Sequence, residues 1–252
     1  MSDYEYSNRD PLHVVHIISG LGHGGAETVL HRLLTAPIQS DRHCVISMGD
    51  AGVFGPRLRA AGIAVYTLDM KSPVGAVKGL WRMHQLLRQL RPDVVQTWMY
   101  HADLIGGVVA RLAGIEAVSW GIRNSGADLS KSSRSARVLS WLCARVSRLV
   151  PAVIVACAEN AAQRHQQWGY RADRMLVIPN GYDLTCWQPD PAARASNTIT
   201  FTLVRKETTT SGRVSLIRRR IANHLAILAN HVLPSQPMRS ASHVNSTPAS
   251  SG

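Results

Sequence analysis

The feature that most constrains the fold is an alternation of short apolar runs with longer amphipathic segments, from Pro11 to about Pro189. The short runs are rich in β-branched residues and favour strands, whereas the longer segments space their apolar residues as helices do. Seven strands are expected, at His13–Ser19, His43–Met48, Ile63–Leu68, Asp93–Thr97, Ala117–Trp120, Ala152–Ala156 and Met175–Ile178. Six helices are expected between them, at Ala26–Leu34, Val53–Ala61, Val74–Leu90, Ala102–Ala113, Ser135–Leu149 and Glu159–Trp168.

Strands that alternate with helices of this length need crossover connections, so the sheet should be parallel and doubly wound. Three glycines support the helix ends, because Gly62, Gly114 and Gly169 each follow a helical segment at the position of a C-cap glycine. We therefore expect an α/β class protein with one Rossmann-like domain at residues 11–190, after a flexible N-terminus of residues 1–10.

The alternation stops after Pro191. Residues 192–252 contain eight Lys+Arg, one acidic residue (Glu207) and many Ser and Thr, whereas the whole chain has 28 Lys+Arg and 16 Asp+Glu. Such a change in composition is typical of a segment that cannot bury enough apolar surface to fold. We expect residues 191–252 to be a disordered basic tail, produced by a frameshift or truncation or present as a genuine tail.

The net charge of +12 raises the possibility of a basic binding protein that is not an enzyme. More than half of that excess lies in the tail, so we expect no nucleic-acid partner for the folded domain. No apolar run reaches the roughly 20 residues of a membrane-spanning helix. The first ten residues include Asp3, Glu5 and Asp10 and resemble no secretory signal, so a cytoplasmic location is expected.

A glycine-rich loop, Ser19–Gly25, joins the first strand to the first helix. Free N–H groups at a helix N-terminus favour a phosphate, and glycine lets the ligand approach the backbone. A tight turn without a ligand is the simpler alternative. Gly20, Gly22 and Gly25 also match the GxGxxG spacing of dinucleotide enzymes, but Asp50, the candidate ribose ligand, lies beyond the usual distance of about 20 residues.

Four motifs in order resemble glycosyltransferases of the GT-B fold in the large family numbered four. They are Gly22–Glu27 (GHGGAE), Trp98–Asp103 (WMYHAD), Trp120–Ser125 (WGIRNS) and Ile178–Asp183 (IPNGYD) with Trp187 and Pro189 behind it. The dinucleotide alternative, an NAD-type oxidoreductase, accounts for the first motif only. The resemblance therefore favours the amino-terminal, acceptor-side domain of a glycosyltransferase.

The resemblance implies transfer of a sugar from a nucleotide-sugar donor to a saccharide or lipid-linked acceptor, with retention. Gly22, Gly24 and Gly25 would contact the donor diphosphate, and His101 is the candidate catalytic residue. A local helix-capping role is the alternative for His101. Trp98, Arg123 and Asn124 would line the acceptor side. No metal and no cofactor other than the donor is expected.

The family's carboxy-terminal domain holds the donor with a basic pair and two glutamates spaced eight apart, and no such pattern follows Pro191. We expect the chain to be a truncated or frameshifted family member that is inactive alone.

The helix expected at Ser135–Leu149 has a basic stripe that includes a tryptophan. This stripe suits an anionic membrane surface at the inner face of the membrane, although a solvated helix face is the simpler alternative. The residues are Arg134, Arg137, Trp141, Arg145 and Arg148.

Overall fold

The computed structural model describes residues 10–36, 41–124 and 134–180. Its seven strands form one parallel sheet in the order β3-β2-β1-β4-β5-β6-β7. The strands are β1 (His13–Ile18), β2 (Arg42–Ser47), β3 (Ala64–Thr67), β4 (Val94–Trp98), β5 (Val118–Ile122), β6 (Val153–Ala156) and β7 (Met175–Val177). The expected doubly wound parallel α/β sheet is confirmed.

The helices cover the two faces of this sheet. They are α1 (Gly25–Leu34), α2 (Phe54–Ala60), α3 (Pro73–Leu90), α4 (Gly107–Leu112), α5 (Arg134–Val146) and α6 (Glu159–Gln167). A short 3-10 turn, Ala172–Arg174, precedes β7. The glycines expected after α2, α4 and α6 adopt left-handed conformations, with φ of 81° at Gly62, 89° at Gly114 and 93° at Gly169. Each therefore ends its helix as the sequence predicts.

Neighbouring residues of a strand point to opposite faces, and β1 shows which helices lie on each face. Ile17 packs in one core cluster with Met83 of α3 and Val109 of α4, and Cys143 of α5 belongs to the same cluster. Ile18 packs instead with Leu30 of α1 and Leu58 of α2. Helices α1 and α2 therefore cover one face, and α3, α4 and α5 form the layer on the other.

The connection after β4 differs from the expected helix Ala102–Ala113. It begins with a single α-helical turn (Met99–His101), continues as a π-helical turn (Ala102–Gly106) and becomes regular only in α4. Two glycines let this segment lie directly on the sheet, because a side chain at Gly106 would meet Ile17 and one at Gly107 would meet Trp120. π-Helical turns are rare overall, and those that occur are often found at functional sites.

The expected tail, residues 191–252, lies outside the described residues, as do residues 1–9 and the loops 37–40 and 125–133. Among the helices that are described, none is both long and apolar enough to cross a bilayer.

Candidate functional site

The candidate site lies where the carboxyl ends of the central strands meet, which is where doubly wound sheets bind ligands. The glycine loop follows β1, Trp98 ends β4, and Arg123 follows β5. Leu21 of the loop and the Trp98 ring are both fully buried in the same core cluster. The fold therefore places the glycine loop beside the end of β4, whose other neighbour is β5.

The glycine loop leaves the start of α1 open. Helix α1 begins at Gly25, and its N-cap residue Gly24 is extended and makes no side-chain cap. The carboxylate of Glu27, in the first turn of the helix, folds back against Gly24. A Cβ atom at Gly22 or Gly25 would meet nothing within 4 Å. Backbone N–H groups beside this space are suited to an anion, as the sequence predicts, provided that the Glu27 carboxylate turns away from Gly24.

The segment after β2 supports this loop from behind. The amide of Phe54 donates to the Leu21 carbonyl at 2.9 Å, and Gly52 lies against that same carbonyl with φ of 46°. A side chain at Gly52 would overlap the Leu21 backbone. The sequence gives little sign of this role, because Gly52 is distant from the glycine motif and only the fold brings the two together.

Arg123 links three of the sequence motifs. Its Cζ atom lies 4.3 Å from the centre of the Trp98 ring, and its Nη1 donates to Asn180 Oδ1 at 2.9 Å. Burial lowers the pKa of Arg123 to about 10, which leaves it charged at neutral pH. A guanidinium held between an aromatic face and an amide has one defined orientation, so Arg123 presents a fixed positive charge at this end of the sheet.

Asp103 lies beneath this arrangement, in the π-helical turn. Its Oδ1 accepts from the Thr97 hydroxyl at 2.6 Å and from the Gly121 amide at 3.3 Å, and its side chain is fully buried. Burial raises the pKa of Asp103 to about 8, although Thr97, Gly121 and Arg123 each oppose that shift. Sequence analysis missed this group. The signal was one acidic residue in the otherwise apolar stretch from Ala102 to Ala110.

Asn124 is held by a second network. The Tyr100 hydroxyl lies 2.9 Å from Asn124 Oδ1 and 2.6 Å from His165 Nε2, and His165 Nδ1 lies 2.6 Å from the Ala161 carbonyl. Burial lowers the pKa of His165, so the ring is neutral and carries its proton at Nδ1, facing that carbonyl. The single Tyr100 hydroxyl proton is then shared between two acceptors, His165 Nε2 and Asn124 Oδ1, of which one accepts it at a time. The network fixes Tyr100 and Asn124 to α6, which sequence reasoning did not predict.

The predicted site residues therefore fall into different settings. His101 is exposed at the end of the helical turn, two residues after Met99, whose φ of 72° is unusual for a residue with a side chain. Trp98 is fully buried and contacts the site through Arg123, so direct contact with an acceptor remains a prediction for Trp98. Arg123 and Asn124 are half-buried neighbours at the end of β5.

The candidate ribose ligand of the dinucleotide alternative is already engaged. Asp50 forms an ion pair with Lys71 at 2.7 Å and accepts from the Gly52 amide at 3.0 Å. The Lys71 contact is the main reason that the pKa of Asp50 is lowered. Over residues 10–36, 41–124 and 134–180, no three His, Cys, Asp or Glu side chains are grouped as metal ligands would be.

The basic stripe predicted from the sequence lies on the outer side of α5 and its C-terminal extension. All five of its side chains are exposed, while Ser140, Cys143 and Ala144 face the core. The five are Arg134, Arg137, Trp141, Arg145 and Arg148.

Solved structures share this fold. HepE from Anabaena in complex with UDP aligns with a TM-score of 0.59 and 17% identity, over 73% of this chain and 49% of that one. The UDP-glucose complex of the same protein aligns with a TM-score of 0.56 and 20% identity, over 73% and 49%. A UDP-N-acetylglucosamine 2-epimerase from Rickettsia bellii aligns at 0.50 and 12%, over 68% and 45%. The chain thus spans about half the length of these structures.

No curated protein sequence gives a significant match to the chain. The family model described as Glycosyltransferase Family 4 matches residues 23–185, well over half of the chain. The match begins within the glycine loop and covers the strand-end segments that carry His101 and Arg123. The chain belongs to glycosyltransferase family 4.

Proposed function

We propose that this chain is the acceptor-side domain of a glycosyltransferase that uses a nucleotide-sugar donor. The observation that carries the proposal is the open space at Gly22 and Gly25 before α1, at the same end of the sheet as the fixed guanidinium of Arg123. The backbone N–H groups beside this space and the guanidinium both attract a diphosphate. Family membership favours a sugar nucleotide over a dinucleotide as its source.

The donor diphosphate would lie against the glycine loop. Negative charge grows on this leaving group as the glycosidic bond breaks, so N–H donors fixed at the start of α1 would stabilise the transition state. HepE, which shares the fold, binds UDP and UDP-glucose, and a uridine diphosphate sugar is therefore the first donor to test.

The reacting sugar would lie near His101, with a saccharide or lipid-linked acceptor on the side of Arg123 and Asn124. The exposed imidazole of His101 can hydrogen-bond a sugar hydroxyl, because no described residue forms a hydrogen bond with the ring. Transfer with retention of the anomeric configuration is what the family resemblance implies. Tyr100 supports this arrangement, since its hydroxyl lies 2.9 Å from Asn124 Oδ1.

We propose further that the 252-residue polypeptide is inactive alone. Glu207 is the sole carboxylate in residues 192–252, so this segment offers no counterpart of the family's glutamate pair. Donor binding should therefore be weak, near the millimolar range, or about −4 kcal/mol.

The exposed stripe on α5 is proposed to contact an anionic membrane surface. A lipid-linked acceptor would be presented at such a surface, and Trp141 with four arginines offers both apolar contact and positive charge.

Titration calorimetry of the full chain with UDP-glucose, GDP-mannose and NAD tests the function. Weak binding of one sugar nucleotide, with no heat from NAD, is expected. Binding of NAD in preference to the sugar nucleotides would contradict the proposal, and it would reinstate the dinucleotide alternative for the glycine loop.

A further inference from the structure

Helix α3 has an outer face that is unusually apolar. Val74, Val77 and Trp81 lie about one helical turn apart on the side opposite Met83, and Trp81 is 64% exposed. Side chains of this size are normally buried, and contiguous exposed apolar patches often mark interaction sites.

Helix α5 has a similar face. Trp141 is 55% exposed, and Val138 and Leu142 lie beside it on the outer surface. The Arg145 guanidinium carbon lies 5.2 Å from the centre of the Trp141 ring. Each helix therefore combines one exposed tryptophan with branched aliphatic neighbours.

The two faces belong to one surface. Helices α3 and α5 lie in the same layer, where α3 contacts α4 and α5 contacts the π-helical turn that leads into α4. Two helix-to-helix spacings of 8–10 Å separate them by roughly 20 Å. Because both helices bury their opposite sides on the same face of the sheet, Trp81 and Trp141 both lie on the outer side of this layer.

The charge on this surface has a single sign. The sequence contains no Asp or Glu from Lys71 to Pro92, and none from residue 129 to residue 158. The basic side chains on the two helices are exposed, and they include Lys78, Arg82, Arg88, Arg137 and Arg145. The exposed carboxylates of Asp93 and Glu116 lie beside Arg88 at the C-terminal end of α3. On the two helix faces themselves the charged groups that an anionic partner would meet are all basic, whereas a second copy of this face would be repelled.

The aliphatic side chains favour an anionic membrane over a nucleic acid as the partner. Nucleic acids would engage the basic groups and the aromatic rings, but they offer no apolar medium for Val74, Val77 or Leu142. A lipid bilayer with anionic headgroups provides both, because apolar side chains enter the acyl boundary while Lys and Arg remain among the headgroups.

We propose that the outer faces of α3 and α5 form one docking surface for anionic membranes, with Trp81 and Trp141 as its two anchors. The proposal adds α3 to the contact proposed above for α5 and in that part rests on the proposed function. Its test needs no sugar transfer, so the docking proposal and the glycosyltransferase proposal can be refuted independently of each other.

The experiment is sedimentation of the full chain with vesicles of phosphatidylcholine alone and of equal parts phosphatidylcholine and phosphatidylglycerol. Binding to the anionic vesicles only is expected. Trp81→Ala and Trp141→Ala should each weaken that binding by about tenfold or more. Replacing both Lys78 and Arg82 by Gln should weaken it by roughly fivefold per charge removed.

The matched control is Arg57→Gln with Arg59→Gln on α2, which removes two exposed charges from the opposite layer. This variant should bind anionic vesicles almost as the wild type does. The proposal is overturned if Trp81→Ala leaves binding unchanged, if the α2 variant weakens it as much as the α3 charge variant, or if neutral vesicles bind equally well. Circular dichroism of each variant shows whether the fold is retained.

Discussion

The Thr97 hydroxyl donates a 2.6 Å hydrogen bond to a buried carboxyl oxygen of Asp103, while the other oxygen, Oδ2, has no partner among the described residues. An oxygen buried in this way is more stable carrying a proton than a charge. The raised pKa of about 8 agrees with this arrangement. Burial therefore favours the neutral acid form of Asp103, which joins β4, β5 and the π-helical turn.

The first prediction is a pH dependence of stability that Asp103→Asn removes. With a pKa of about 8 in the folded protein and 3.8 ordinarily, Asp103 keeps a proton that the unfolded chain releases. The free energy of unfolding should thus fall as pH rises from about 4 to about 8, by at most about 1.4 kcal/mol per unit. Asparagine is neutral at every pH. The free energy of unfolding, measured with urea, should therefore fall less with rising pH in the variant than in the wild type. Parallel pH curves for the two proteins would refute a protonated Asp103.

The second prediction concerns the network around Tyr100. Tyr100→Phe removes a hydroxyl and leaves His165 Nε2 buried without its partner, which should lower the free energy of unfolding by about 1–3 kcal/mol. Tyr66→Phe is the control, because the Tyr66 hydroxyl makes no hydrogen bond among the described residues. Equal losses in the two variants would show that the network adds nothing to stability.

The third prediction compares the stability effects of substituting two glycines, one in the glycine loop and one in the segment that supports it. Gly52→Ala should destabilise the protein by about 1–3 kcal/mol, because φ of 46° is unfavourable with a side chain and the methyl group overlaps the Leu21 backbone. Gly22→Ala should be almost neutral, because its Cβ would enter open space. Thermal unfolding compares the two, and a larger loss in Gly22→Ala would contradict this account of the loop.

The fourth prediction tests His101 in a chimera that joins residues 1–190 to the donor domain of an active family 4 enzyme. His101→Ala should lower turnover by roughly a hundred- to thousandfold, or about 2.7–4 kcal/mol, as for other lost transition-state contacts. The exposed ring predicts no change in melting temperature. A lower melting temperature with unchanged turnover would assign His101 to the scaffold.

Sequence periodicity predicted the sheet well, because each strand of a buried parallel sheet is a short apolar run. All seven expected strands are present, and their bounds differ from expectation by two residues at most. The larger difference is at β5, which extends to Ile122 because Gly121 and Ile122 pair with Val155 and Ala156 of β6. That extension depends on a partner strand, and the sequence of β5 alone does not contain it.

The candidate site was predicted only where its motifs are local. The glycine loop is contiguous in sequence and was recognised directly. Asp103, in contrast, depends on a π-helical turn that helical periodicity does not indicate. The contact of Tyr100 with His165 joins residues 65 positions apart, and the support of Leu21 by Gly52 joins two loops. These relationships arise from tertiary packing, and the separate segments give no sign of them.

Binding of a nucleotide sugar at the glycine loop is the central claim, and backbone amide NMR tests it most directly. We predict that UDP-glucose shifts the amide signals of Gly22, Gly24 and Gly25 in the wild-type chain. Gly25→Ala should fold at least as stably, because alanine favours a helix and its Cβ would enter open space, yet the methyl group should abolish these shifts. Shifts that spare the loop, or that survive unchanged in folded Gly25→Ala, would contradict the account.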